Sequence, residues 1–310
     1  MKTFILILSV LACGEPVPGG PTRVAEPNTP AWWHTGFLPP RQEPVREKGL
    51  VAQFYYPACG GPPWPAIVLL GGAQGGLVTA KNRIEPLVAS GYCVLRVAYF
   101  KAEGLPGELI SVPLEFYDAA KAWLAGDPRV VRGGLALLGS SKGGELALLL
   151  ASRDPYIRCV VGIVPASHVF QGIAARPHSN SSWSSQGKDL PFVPYQLGSA
   201  LFRAVATGEF RDVYRDALTG AGPGAQAARI PVEKINGAVL LLSGARDEIW
   251  PSTEMCDGII RTLRQEQFPH PFRHVVYDTG HGVGSLREHW IEITGFLRSH
   301  YRIERKGYEQ

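Results

Sequence analysis

Short apolar runs alternate with helical stretches along most of this chain, and that alternation narrows its fold more than any other feature. Pro65–Gly71, Tyr92–Tyr99, Leu135–Leu138, Cys159–Val164, Ala238–Leu242 and Phe272–Tyr277 read as strands. Several are continuously apolar, as strands covered on both faces must be. Leu50–Tyr56 alternates instead, like a half-buried strand. Helical spacing predicts helices over Thr79–Ser90, Pro113–Ala125, Ser141–Ser152, Ser252–Leu263 and Leu286–His300. In the second of these, Leu114, Phe116, Ala119, Ala122 and Trp123 are expected to face inward. Strands alternating with helices give an α/β fold: a mostly parallel sheet of about eight strands, flanked by helices. The polar stretch from Ala166 to Val232 breaks the rhythm. It reads as an inserted lid over the carboxyl ends of the strands, where such sheets bind ligands.

Composition removes several function classes. At 45% hydrophobic and 19% charged residues, the chain has too much apolar content to remain disordered. Its formal charge of +4 is dispersed, without basic runs, so no nucleic-acid partner is expected. No apolar run approaches the roughly 20 residues that span a bilayer. Membrane contact is therefore expected only at the N-terminus. There, Met1-Lys2 precedes an apolar stretch to Ala12, and Val10-Leu11-Ala12-Cys13 spells a lipobox. Residues 1–12 read as a secretory signal and Cys13 as a lipidation site. The protein is then expected to be exported, as a periplasmic or membrane-anchored lipoprotein; with the signal unused it would be cytoplasmic. Residues 13–44 are rich in Pro and Gly and read as a tether. Residues 45–303 read as the catalytic domain, with the lid at about 166–232. The cysteines form no CxxC and no Cys/His spacing, so neither metal nor cofactor is implied.

The chemistry is carried by Gly139-Ser140-Ser141-Lys142-Gly143, between the strand Leu135–Leu138 and an apolar helix. A G-x-S-x-G is common by chance; its placement in a strand-to-helix turn is what gives it meaning. So sharp a turn strains the serine, projects its hydroxyl, and needs glycines where side chains would collide. Ser141 is the expected nucleophile, with Ser140 the lesser candidate on the strand side. A serine needs a base, and the base an orienting carboxylate. Asp247 follows the strand Ala238–Leu242, and His281 follows Phe272–Tyr277. All three thus sit at carboxyl ends of strands, in the chain order Ser, Asp, His of an α/β-hydrolase fold. Glu248 is expected to point away from the base, and Asp278 to lie too close to His281 to swing beneath it. The remaining histidines read as surface or satisfied groups. The oxyanion hole is expected to use the amides of Lys142 and of Ala73, in the loop Gly71–Gly76. That loop lacks the Lys-Ser/Thr of a phosphate cradle. Lys142 is expected to contribute through its backbone alone, its side chain pairing locally with Glu145.

These residues also carry a resemblance. Gly104-Leu-Pro106, Val112-Pro-Leu-Glu-Phe116, Leu138-Gly-Ser-Ser-Lys-Gly-Gly-Glu145, Val164-Pro-Ala-Ser167, Ser182-Trp-Ser-Ser-Gln-Gly187 with Leu190-Pro191, and Ser243-Gly-Ala-Arg-Asp-Glu-Ile-Trp-Pro-Ser252 resemble the catalytic domain of the acyl-CoA thioesterase / bile acid-CoA:amino acid N-acyltransferase family, which is similar to dienelactone hydrolases. The likeness runs from about Leu50 to Leu297. It implies acyl transfer from a thioester to water or an amine, with Ser or Cys at Ser141 and the Asp and His at Asp247 and His281. The family's large N-terminal immunoglobulin-like domain has no counterpart between about Cys13 and Leu50. Serine as nucleophile favours hydrolysis over amide synthesis. The expected partner is a small acyl ester or thioester. Trp183, Phe192 and Tyr195 would line an acyl site, unless they are simply the lid's own core. The export signal favours a carboxylic ester, since acyl-CoA is cytosolic, and an exported carboxylesterase, an N-acyltransferase and a non-catalytic envelope lipoprotein are the alternatives.

Overall fold

The computed structural model describes residues 38–47, 49–77, 81–196 and 198–301. The signal, Cys13 and most of the tether lie outside the described residues. In chain order the elements are β1 (Arg41–Glu47), β2 (Leu50–Tyr56), β3 (Ala66–Leu70), α1 (Lys81–Ala89), β4 (Cys93–Ala98), β5 (Val112–Pro113), α2 (Phe116–Gly126), β6 (Leu135–Ser140), α3 (Lys142–Ala151), β7 (Ile157–Ile163), β8 (Trp183–Ser185), β9 (Lys188–Asp189), α4 (Ser199–Thr207), α5 (Arg211–Gly220), α6 (Pro223–Ala228), β10 (Ala238–Gly244), α7 (Ser252–Gln265), β11 (Phe272–Tyr277) and α8 (Arg287–His300). Eight strands form one sheet in the order β1-β2-β4-β3-β6-β7-β10-β11. β1, β2 and β4 are antiparallel neighbours, and the rest of the sheet is parallel. Successive residues of β3 feed opposite faces: Val68 and Leu70 join a core with α2, α3 and α7, while Ile67 and Leu69 join one with α1 and α8. That double burial is why these strands are continuously apolar.

Strand order reverses between β3 and β6, because the chain lays β4 on one side of β3 and then returns to place β6 on the other. Such a reversal opens a crevice at the carboxyl ends of the two strands. The Ala166–Val232 stretch holds β8, β9 and α4 to α6, and β8 joins β5 and β9 in a second, three-stranded sheet. Its residues Phe170, Val193, Tyr214 and Ala217 pack with Trp250 and Met255 of the body.

Two expectations need correcting. The tether does not extend to residue 44, because Arg41–Pro44 already belong to β1. Only Val45 of that edge strand is buried, so no apolar pattern announced it. Leu114, Phe116, Ala119 and Trp123 face the core as expected, joined by the more deeply buried Tyr117, Ala120 and Leu124, while Ala122 is exposed. Val112–Pro113 pair with β8, so the helix begins later than Pro113, at Phe116.

Candidate active site

β6 ends at Ser140 and α3 begins at Lys142, leaving Ser141 to reverse the chain alone. It does so at φ 58°, ψ −123°, a conformation that residues with a side chain adopt only when their surroundings force it. The glycines permit this. A Cβ on Gly139 would overlap the Gly143 carbonyl, and one on Gly143 would overlap the Gly71 carbonyl. Ser141 N–H donates to Ile163 O at 2.9 Å, tying the turn to β7. Lys142 supplies the first amide of α3, where N–H groups have no intrahelical acceptor. The loop after β3 lies against the same turn: a Cβ on Gly72 would sit 3.3 Å from Ser141 Cβ. Ala73 is the next residue.

His281 Nε2 lies 2.9 Å from Ser141 Oγ, and its Nδ1 lies 2.9 Å from each carboxylate oxygen of Asp247. Asp247 is buried, and its Oδ1 also accepts the Ile249 and Trp250 amides at 3.0 and 3.2 Å. With the carboxylate on Nδ1, the imidazole proton sits there and Nε2 faces the hydroxyl as an acceptor. Trp250 meets the imidazole edge-on at 5.7 Å and is anchored by Nε1 donating to Val164 O at 3.1 Å. Glu248, which looked idle from sequence, accepts the His281 backbone N–H at 3.0 Å. Asp278 instead pairs with Arg246 at 3.1 Å. Glu248 and Trp250 both stand in the Ser243–Ser252 stretch that carries the family resemblance, but no local signal pointed to these roles.

A second Ser–His–Asp line sharpens the comparison. Ser243 Oγ is 2.7 Å from His274 Nε2, and His274 Nδ1 is 3.1 Å from Asp257 Oδ1. Yet Ser243 is fully enclosed within β10, and its hydroxyl also contacts Thr253 Oγ1 at 3.0 Å. No strained turn presents it to solvent. This network joins β10, β11 and α7. Distances alone therefore do not mark the candidate site; the strained, accessible turn at Ser141 does.

Lys142 and Glu145 pair as expected, and the pair is buried. Nζ lies 2.8 Å from both carboxylate oxygens, with the side chains 1% and 0% exposed. Burial pushes the lysine down and the glutamate up from their ordinary values, against their mutual attraction. Glu145 Oε1 also accepts Trp183 Nε1 at 2.7 Å. Trp183 is thus enclosed in the main core rather than spread on an open lid face. Phe192 is half-buried against that core. Tyr195 stacks on Phe170 and meets Tyr214 edge-on; Tyr214 meets Trp250 in turn. Of the three residues, Tyr195 is linked by ring contacts to His281, and Trp183 reaches α3 through Glu145. Beside Glu248 opens a cleft of about 420 Å³. Arg203, Arg211, Arg215 and Arg246 line it, with Glu209 and Asp212 among them.

A model of the family described as BAAT / acyl-CoA thioester hydrolase C terminal matches residues 112–284, more than half of the chain. Human acyl-coenzyme A thioesterase 2, mitochondrial, is 30% identical over 249 residues, covering 80% of this chain and 48% of that protein. Mouse acyl-coenzyme A thioesterase 1 is 31% identical over 263 residues, covering 84% and 57%. The chain therefore spans about half the length of the curated relatives it matches. Among solved structures, an acylaminoacyl peptidase superposes with a TM-score of 0.58 at 13% identity, covering 87% of this chain and 43% of that one. A puromycin hydrolase gives 0.57 at 19% identity, covering 89% and 40%. The fold is that of the α/β-hydrolases.

Proposed function

Since the chain belongs to the BAAT / acyl-CoA thioester hydrolase C-terminal family, we propose that it is a serine hydrolase that cleaves an acyl thioester through an acyl-enzyme on Ser141. The observation that carries this is the unbroken line Ser141–His281–Asp247 at a strained turn beside a helix start. Ser141 Oγ attacks the acyl carbonyl while His281 Nε2 takes its proton, and Asp247 holds and stabilises the imidazolium. The amides of Lys142 and Ala73 receive the oxyanion. His281 then protonates the leaving sulfur, and the same histidine activates the water that frees the acid. Glu248, which accepts the His281 backbone N–H, also lines the arginine-rich cleft. Guanidinium groups there suit the phosphates of a coenzyme A thiol. The relatives' names support the same class. An organophosphonate tests the reading: it should label the protein once, on Ser141, and Ser141→Ala should abolish both label and thioester turnover. Label on Ser140 or Ser243, or retained turnover, would overturn it.

A second reading, an exported carboxylesterase, is favoured by Val10-Leu11-Ala12-Cys13. It uses the same acyl-enzyme with an alcohol as leaving group. Labelling cells with a radioactive fatty acid tests the address: label that disappears in Cys13→Ser supports a lipoprotein, and its absence in the unaltered protein removes the reason for preferring an ester. Assaying chromogenic esters of graded chain length beside acyl-CoA thioesters then separates the substrates.

A further inference from the structure

Trp183 has no exposed surface, yet it is linked through one neighbour on each side to both segments of the oxyanion site. On one side its Nε1 donates to Glu145 Oε1 at 2.7 Å, and Glu145 grips Lys142 Nζ at 2.8 Å. Lys142 contributes the first amide of α3 and carries its ammonium 5.6 Å from the Trp183 ring centre. On the other side the indole meets Tyr99 edge-on, with centroids 5.5 Å apart at 63°. Tyr99 OH donates to Gly71 O at 2.5 Å, and Gly71-Gly72 leads directly into Ala73. Burial and the nearby Glu145 charge push the Tyr99 phenol far up, so it remains a neutral donor. Trp183 itself is held by the second sheet. Val112 N–H donates to Ser182 O at 2.9 Å, and Ser184 Oγ donates to Ser111 O at 2.7 Å.

We infer that Trp183 is a positioning residue that sets the Lys142 and Ala73 amides relative to each other, with Glu145–Lys142 and Tyr99–Gly71 as its two arms. This rests on the reading of Ser141 as nucleophile. The physical need is plain. The two donors belong to different segments, one at the start of α3 and one after β3, and both must meet one oxygen at about 2.7–3.1 Å. An error of about 1 Å in such a placement costs on the order of 100-fold in rate. A fully buried ion pair is also a poor stabiliser compared with apolar residues of the same volume. Its position between the nucleophile turn and β8 fits an aligning task better than a stabilising one. The inserted Ala166–Val232 stretch thereby takes part in building the site, beyond covering it.

The test is the rate at which an alkyl fluorophosphonate phosphonylates Ser141, followed by intact mass and separated by saturation into a binding constant and a first-order step. In that reaction the Ser141 Oγ–P bond forms, fluoride leaves, His281 takes the proton, and the phosphoryl oxygen occupies the oxyanion hole. Trp183→Phe keeps the ring and removes the indole donor; Tyr99→Phe keeps the ring and removes the hydroxyl. Each should slow the first-order step about tenfold or more, with the binding constant changed less than about twofold. Should Trp183→Phe fail to fold, the smaller Tyr99→Phe change decides alone. Unchanged phosphonylation rates in folded variants, whatever their melting temperatures, would overturn the inference and make the arms purely structural. Label on a serine other than Ser141 in the unaltered protein would instead overturn the reading beneath it.

Discussion

Replacing Lys142 by methionine removes a cation from a place that water does not reach. Glu145 is then left at 0% exposure, with Trp183 Nε1 at 2.7 Å and the Phe170 amide as donors. A solvent-exposed pair at this spacing is worth about 0.2–0.5 kcal/mol, so truncating it would scarcely register. Breaking a buried pair costs about 3–5 kcal/mol, because the remaining charge is uncompensated. For a domain of this size each kcal/mol moves Tm by roughly 2–4 °C. The expected fall is therefore on the order of 6–20 °C, read by scanning calorimetry or by urea unfolding at pH 7. The sign of the pH dependence gives a second check. In the variant, the Glu145 carboxyl has its folded pKa raised above the unfolded value. The folded state then binds more protons than the unfolded one, and stability drops as pH rises. Lys142→Met should therefore be less damaging at pH 5 than at pH 8. Adding Glu145→Gln removes the stranded charge while keeping an acceptor for the indole, and should recover at least half of the loss. A single variant within about 0.5 kcal/mol of the unaltered protein would refute the reasoning, because it would mean the pair is solvated.

The other predictions concern the site and its surroundings. Ser141→Ala and His281→Ala should each lower kcat by several orders of magnitude and the double variant little further, while Asp247→Asn should cost about 10⁴-fold through the wrong imidazole tautomer; independent, additive losses would argue against a triad. Ser243→Ala should leave kcat and phosphonate labelling within a few-fold of the unaltered protein, since that hydroxyl is enclosed; loss of label would implicate the second Ser–His–Asp line. Arg215→Ala with Arg246→Ala should raise KM for an acyl-CoA at least several-fold and leave KM for a neutral ester unchanged, and equal effects on both substrates would detach the cleft from the leaving group. Burial holds His168 down at about 4 from 6.5, so the unfolded state binds the extra proton between those values and stability falls as pH drops through that window. His168→Gln should lose less stability than the unaltered protein between pH 7 and pH 5, by on the order of 1–2 kcal/mol in urea titrations.

The chemistry of this protein was legible because it depends on short-range constraints. Gly139 and Gly143 flank Ser141 since a side chain at either would strike backbone, and that exclusion is written as letters. The buried strands were legible for a similar reason: a strand covered on both faces must be largely apolar, as β3 is throughout and β6 and β10 are until their last residues. The order Ser141, Asp247, His281 then followed from which strands end where. β1 was not legible, because an exposed edge strand carries no apolar signature. Nor was the depth of Lys142 and Glu145, whose charges at helical spacing read only as a local pair. Only packing against β8, more than thirty residues away in the chain, makes them a buried one. The same holds for Trp183, which reads as lid lining until the fold closes Tyr99 and Glu145 around it, and for the Ser243–His274–Asp257 line, which has triad distances but no access. Sequence determines local sterics and the periodicity of burial. Which polar groups end up enclosed together depends on contacts between distant segments, and the low-dielectric surroundings that change their chemistry exist only once the chain has folded.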